Sequence, residues 1–174
     1  MKNFKTIPFG FTLTELMAVV VILAILLSMA AGSYKRAVEQ SKFNDGLIQA
    51  TTVMESVERY HAENVNKSGS RQPHPRFLDM PPETALGDNI SYEQDSNGIY
   101  FIKSAYFKTY IYDGYVDAKR EGSAGYTVRV YSSTFGNNMH RGSSCVYRNN
   151  EGKNLCVAVG YTGCDTNTSV CDKP

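Results

Sequence analysis

Residues 10–19 read GFTLTELMAV, and residues 20–30 continue as VVILAILLSMA without a single charge. One carboxylate, Glu15, stands near the start of this apolar run. At the centre of a membrane helix such a group costs about 2.5–3.5 kcal/mol. As a helix rising 1.5 Å per residue, residues 11–31 extend about 31 Å, enough to cross a bilayer. Any account of the chain has to explain both the run and its carboxylate.

The helical pattern continues beyond the run. Tyr34, Ala37, Val38, Ser41, Leu47, Ile48, Thr51, Met54 and Val57 recur at steps of three and four. Lys35, Glu39, Lys42, Glu55 and Arg59 occupy the remaining faces. The spacing predicts one helix over residues 11–64, apolar all round in its first half and amphipathic in its second. That is far longer than an average helix, so partners must cover it: the rest of the chain on the second half, other molecules on the first. Gly32 and Gly46 interrupt the pattern. Each costs roughly 1 kcal/mol against alanine, and both are expected to mark local melting or a bend.

Three readings of the amino-terminal segment compete. A cleaved secretory signal would end near SMA, but Glu15 interrupts its apolar core and the helical pattern runs past the supposed cut. A plain anchor has the right length. Lys2 and Lys5 on one side are answered by Lys35 and Arg36 on the other, so flanking charge orients it poorly, and Glu15 stays unexplained.

The third reading accounts for the carboxylate. The stretch GFTLTELMAVVVILAILLS, behind the short basic leader MKNFKTIPFG, closely resembles the class III signal of type IV prepilins and pseudopilins. The resemblance implies cleavage between Gly10 and Phe11 by a membrane-embedded prepilin peptidase and N-methylation of the new terminal Phe11. Glu15 matches the glutamate of that family's mature amino-terminal segment. It implies that Glu15 neutralises the Phe11 amine of an adjacent subunit, each buried ion removing the other's desolvation problem. A residue snorkelling to the membrane face is the plainer alternative for Glu15. Gly32 stands where pilins often carry proline. The family's partners follow by the same resemblance: other pilin subunits in a helical filament, the peptidase, an inner-membrane platform protein and assembly ATPases.

Residues 65–98 hold four of the six prolines and cannot form a continuous helix. They are expected to be a long connection wrapping the globular part, with a short helical turn. From Ile99 the chain is rich in aromatic and β-branched residues. IYFIKSAYFKTYIYDGYVDAK, then YTVRVY after the turn REGSAG, read as strands. SSCVYRN and NLCVAVGY read as a further hairpin around NNEGKN. The expectation is an antiparallel meander of three to five strands whose buried face packs on residues 37–57.

Cys145, Cys156, Cys164 and Cys171 all lie in the last 30 residues. An even count at one end of an exported chain indicates disulfides and an oxidising compartment. Their spacing lacks the close CxxC pairs of a zinc site. Four cysteines allow three pairings. Cys145–Cys156 with Cys164–Cys171 closes the shortest loops and is preferred, and a disulfide-bounded terminal loop is frequent in pilins.

The segments contain no recognisable catalytic constellation. His61, His74 and His140 lack ligand spacing, and no GxxxxGK[ST], GxGxxG or HExxH occurs. No enzyme activity, cofactor or metal is assigned. Asp88, Asp95, Asp165 and Asp172 are acidic residues in loops, the first three with asparagine within two residues, a ligand pattern too weak for a calcium site to be assigned. Six tyrosines between Tyr106 and Tyr131, with Lys108, Lys119, Arg120 and Arg129, could form a stacking and phosphate-contacting stripe for nucleic acid. Tyrosines on the open face of a sheet are the plainer explanation.

The reading is an α+β chain of pilin fold: leader 1–10, membrane and filament-core half of the helix 11–31, amphipathic half 32–64, connection 65–98, and antiparallel sheet with a disulfide-bounded end 99–174. The expected function is that of a structural subunit of a type IV pilus supporting adhesion, motility or DNA uptake. Such a subunit is held in the inner membrane by a single pass before assembly and is extracellular afterwards. The alternatives are a type II secretion pseudopilin of a periplasmic pseudopilus and a monomeric membrane-anchored binding domain.

Overall fold

The computed structural model describes residues 12–64, 73–75, 78–79, 90–134 and 142–173. The chain divides into two compact units, Met1–Val38 and Glu39–Pro174. Helix α1 runs Leu13–Glu63 without a break at Gly32 or Gly46. Strands β1 (Ser91–Gln94), β2 (Tyr100–Lys103), β3 (Phe107–Tyr112), β4 (Tyr115–Arg120), β5 (Tyr126–Tyr131) and β6 (Ser143–Tyr147) follow. Helix α2 (Asn150–Ala158) and strands β7 (Gly163–Asp165) and β8 (Val170–Asp172) complete the chain.

The eight strands form one antiparallel sheet in the order β1-β2-β3-β4-β5-β6-β8-β7. The fold is therefore α+β, a long amino-terminal helix packed on a carboxy-terminal antiparallel sheet. A single cross-strand row, Tyr92–Ile102–Thr109–Ala118–Val128–Cys145–Cys171–Cys164, crosses all of it. Side chains in one row share a face, and this row belongs to the face that receives α1.

The core of the second unit lies between that face and the helix. Phe43, Ala50, Val53, Met54 and Val57 meet Ile102, Phe107, Ile111, Val116, Ala118, Tyr126 and Val128, all buried. The Phe43 ring sits 5.5 Å from Tyr126 and 5.6 Å from Tyr161, centroid to centroid. Polar groups tie the same layers. Arg120 pairs with Glu39 at 3.2 Å, Ser104 donates to Gln49 at 3.2 Å, and Ser132 Oγ and Ser133 N–H donate to Glu58 Oε1. Burial pushes the Glu39 and Glu58 carboxyls up, but their donors outweigh it and both sit below the ordinary range.

Gly46 is not a hinge. It is buried under Phe107, and a Cβ there would come within 2.7 Å of that ring. The missing side chain lets β3 approach the helix closely.

Two sequence expectations need correction. The sheet has eight strands, and β1 falls inside the segment expected to be connection. Most of that segment lies outside the described residues, but Leu78 joins the core and Asp79 O accepts from Ser56 Oγ and Arg59 Nη2. The second strand of the cysteine hairpin is instead helix α2. Asn149 caps it, accepting from Gly152 N–H at 2.7 Å, and Glu151 occupies the first turn. Leu155, Cys156 and Val159 face inward at helical spacing, whereas Val157 is exposed. Gly152 is required because a Cβ would lie 2.5 Å from Gly125 O.

Candidate functional site

Three places in the chain carry features beyond packing. The first is the start of α1. Thr12 and Glu15 form a capping box. Thr12 N–H and Thr12 Oγ1 donate to Glu15 Oε2 at 2.9 and 2.7 Å, while Glu15 N–H donates to Thr12 Oγ1 at 3.3 Å. Amides of the first helical turn that have no internal partner are satisfied this way. Ser28 Oγ likewise donates to Ile25 O at 2.7 Å. These bonds satisfy the hydroxyls within the helix itself, as hydrocarbon would require of a spanning segment. Gly10 and Phe11, the residues assigned to processing, lie outside the described residues.

This helix is long and apolar enough to cross a membrane, and none of its most apolar stretch is buried. Every large apolar side chain from Leu16 to Met29 is at least 48% exposed. Glu15 keeps one oxygen uncommitted: among the described residues nothing bonds its Oε1. The capping role was legible as the TxxE pattern at Thr12–Glu15, which the sequence reading passed over in favour of charge alone.

The second place is the disulfide-bounded end. Cys145 on β6 is bonded to Cys156 on α2, with Cα atoms 5.8 Å apart, and Cys164 on β7 to Cys171 on β8. Cys145, Cys171 and Cys164 are successive members of the core-facing row. The first bridge therefore clamps helix to sheet and the second clamps the edge hairpin. Closing an eleven-residue separation contributes about 3 kcal/mol in the chain-entropy account. Between β7 and β8, Asp165 folds the turn, accepting from Asn167 N–H and Thr168 Oγ1, each at 2.9 Å. These bonds hold its carboxyl below the ordinary range. Asp95 is engaged in the same manner by Asn97 and Ile99 N–H. Among the described residues no three His, Cys, Asp or Glu side chains converge as a metal site, and Asp88 lies outside them.

The third place is the sheet face away from α1. Tyr110, Tyr112, Tyr115 and Tyr131 form a strip of rings, with centroids 6.2, 4.7 and 6.3 Å apart in sequence order. Beside it Arg129 forks onto Asp117, Nε–Oδ1 2.6 Å and Nη2–Oδ2 2.7 Å, and lies over the Tyr115 ring. Burial works against the Arg129 charge, but the Asp117 carboxylate outweighs it and holds the guanidinium firmly protonated. Burial, then the Asp117 charge, pushes Tyr112 up to about 12. A groove of about 410 Å³ opens here, between Tyr110 and Tyr112 on one side and Lys119, Thr127 and Arg148 on the other.

The structure does not assemble the basic stripe read from the sequence. Arg120 turns to the opposite face and pairs with Glu39. Arg129 is neutralised by Asp117, and Lys108 by Glu121 at 2.7 Å. Tyr126 is in the core, and Tyr106 lies under Lys42 and Arg120. Pairing along and across strands, invisible in a linear count of charges, removes most of the field a polyphosphate needs.

Compared with known proteins, the chain matches no family model, no curated protein and no solved structure.

Proposed function

We propose that the chain is a filament-forming subunit of the type IV pilin kind, processed between Gly10 and Phe11 and polymerised through the first half of α1. One observation carries the reading: an apolar helical segment with no buried residue holds one carboxylate in its first turn, and among the described residues nothing bonds its second oxygen. In a lone anchor the charge would do no more than cap the first turn. A bundle of such helices, each presenting a cationic amine to its neighbour's Glu15, converts two poorly solvated ions into a register-setting pair.

Glu15→Gln tests this directly. Glutamine retains an oxygen for the Thr12 cap, so the helix survives while the charge is gone. The expected result is a stable, membrane-held chain that no longer enters filaments. Filaments of normal yield from this variant would end the proposal. Mass spectrometry of cell-derived chain should show a methylated Phe11 start, and blocking the cut at Gly10 should leave the longer species.

The tyrosine-walled groove favours a second reading, a monomeric anchored domain that binds a ligand on its sheet. That reading expects full activity from Glu15→Gln.

A further inference from the structure

We propose that the groove on the open sheet face binds an acidic saccharide, a hexuronic-acid-containing glycan with about two pyranose rings in contact. The inference is independent of the filament reading, because it concerns a face of the second unit that does not touch α1. Its volume, about 410 Å³, lies in the range of small-ligand sites.

The chemistry of the walls selects the ligand. Tyr110 and Tyr112 present two nearly parallel rings, 23° between planes, continuing into Phe101 on one side and Tyr115 on the other. The C–H face of a pyranose lies favourably on the electron-rich face of such a ring. Several cations of this unit are matched. Arg129, Lys108, Arg120 and Lys103 each pair with a carboxylate. Lys119 and Arg148 line the groove, and no carboxylate among the described residues pairs with either. Lys119 rests only on the Tyr110 ring at 5.9 Å, and Arg148 reaches only Thr127 Oγ1 at 3.4 Å. These two uncommitted cations stand beside the aromatic platform.

Two carboxylates also line the groove. Asp117 is neutralised by Arg129. Asp95 uses Oδ1 for two backbone N–H groups, leaving Oδ2 to accept hydroxyl hydrogens. The net charge at the walls is thus close to +1, matched to one carboxylate and unsuited to a string of phosphates. A wholly apolar ligand would desolvate Lys119 and Arg148 without compensation. A ligand with apolar C–H faces, several hydroxyls and one acid group satisfies every wall.

Calorimetric titration of the full chain in a non-glycosidic detergent tests this. The probes are glucuronosyl-galactose, its uncharged methyl ester, and the hexanucleotide (dT)6. The expected result is saturable binding of the acidic disaccharide, at least tenfold weaker for the ester. Lys119→Gln and Arg148→Gln, both at solvent-accessible positions, should each weaken it fivefold or more with near-ultraviolet circular dichroism unchanged. Lys153→Gln, on α2, should leave it intact. Tighter binding of (dT)6, equal binding of acid and ester, equal affinity in wild type and both groove variants, or no binding at all would each overturn the assignment.

Discussion

Along α1 the same helical backbone serves two different surroundings. Between Leu16 and Met29 large aliphatic side chains are 48–74% exposed, whereas Phe43, Ala50, Val53 and Val57 are 0–1% exposed. The second stretch is covered by the chain's own sheet through an ordinary one-sided apolar stripe. The first is apolar all round, and among the described residues none of it is buried. Polar groups follow the same division. In the first stretch they bond within the helix, as Thr12–Glu15 and Ser28–Ile25 do. In the second several also reach across to the sheet, as Glu39–Arg120 and Glu58–Ser132 do.

The strongest challenge to this contrast is one charge placed in each stretch. Val53→Asp puts an unpaired carboxylate into a site with no exposure. It should cost the second unit about 3–5 kcal/mol, read as loss of a cooperative denaturant transition. Val21→Asp should leave that transition unchanged in detergent and instead penalise membrane insertion by about 2.5–3.5 kcal/mol. Equal effects of the two on the transition would erase the distinction.

A subtler comparison uses the two glycines. Gly46→Ala meets the Phe107 ring, itself buried, and should lose about 1–3 kcal/mol to overpacking in spite of its better helix propensity. Gly32→Ala has nothing within 4 Å and should gain up to about 1 kcal/mol of local helix stability, seen as slower amide exchange around it. The same substitution then has opposite signs in the two stretches.

The smallest effect is a pH dependence confined to the second unit. Glu39 has its folded-state pKa lowered by Arg120 and Lys42 against the opposing effect of burial. A lowered value means that the folded chain holds fewer protons than the unfolded one. The stability it contributes is therefore present above the ordinary value of 4.5 and lost as pH falls through the folded one. Glu39→Gln should flatten the acid limb of the denaturation midpoint by under about 1 kcal/mol. An unchanged acid limb would show that the Arg120 pair contributes nothing.

Much of this was legible in the sequence. The extent of α1, its change from uniform to one-sided hydrophobicity, and the β-rich remainder follow from period and composition, which report burial directly. What was missed depended on pairing in space. Leu155, Val157 and Val159 alternate as a strand would, and only the capping geometry of Asn149 with the close approach of Gly152 to Gly125 decides for a helix. β1 was hidden because a short edge strand exposed along most of its length carries little apolar signal. The basic stripe failed because Arg120 and Arg129 occupy opposite faces and each meets an acid distant in sequence. The groove was foreseen only in part: Tyr110, Tyr112 and Lys119 belonged to the stripe read from the sequence, but Arg148 joins them only through strand register.

The capping box at Thr12 has one more consequence. With Oε2 of Glu15 pinned by two donors from its own first turn, the side chain's rotational freedom is already spent when the helix forms. In the proposed filament, a neighbouring amine would meet Oε1 preset in direction, and the ordering penalty usually charged to an association event, roughly 0.5–1.5 kcal/mol per flexible side chain, would be reduced. In the proposed filament, a residue that looks like a liability in isolation would thereby be a rigid docking point.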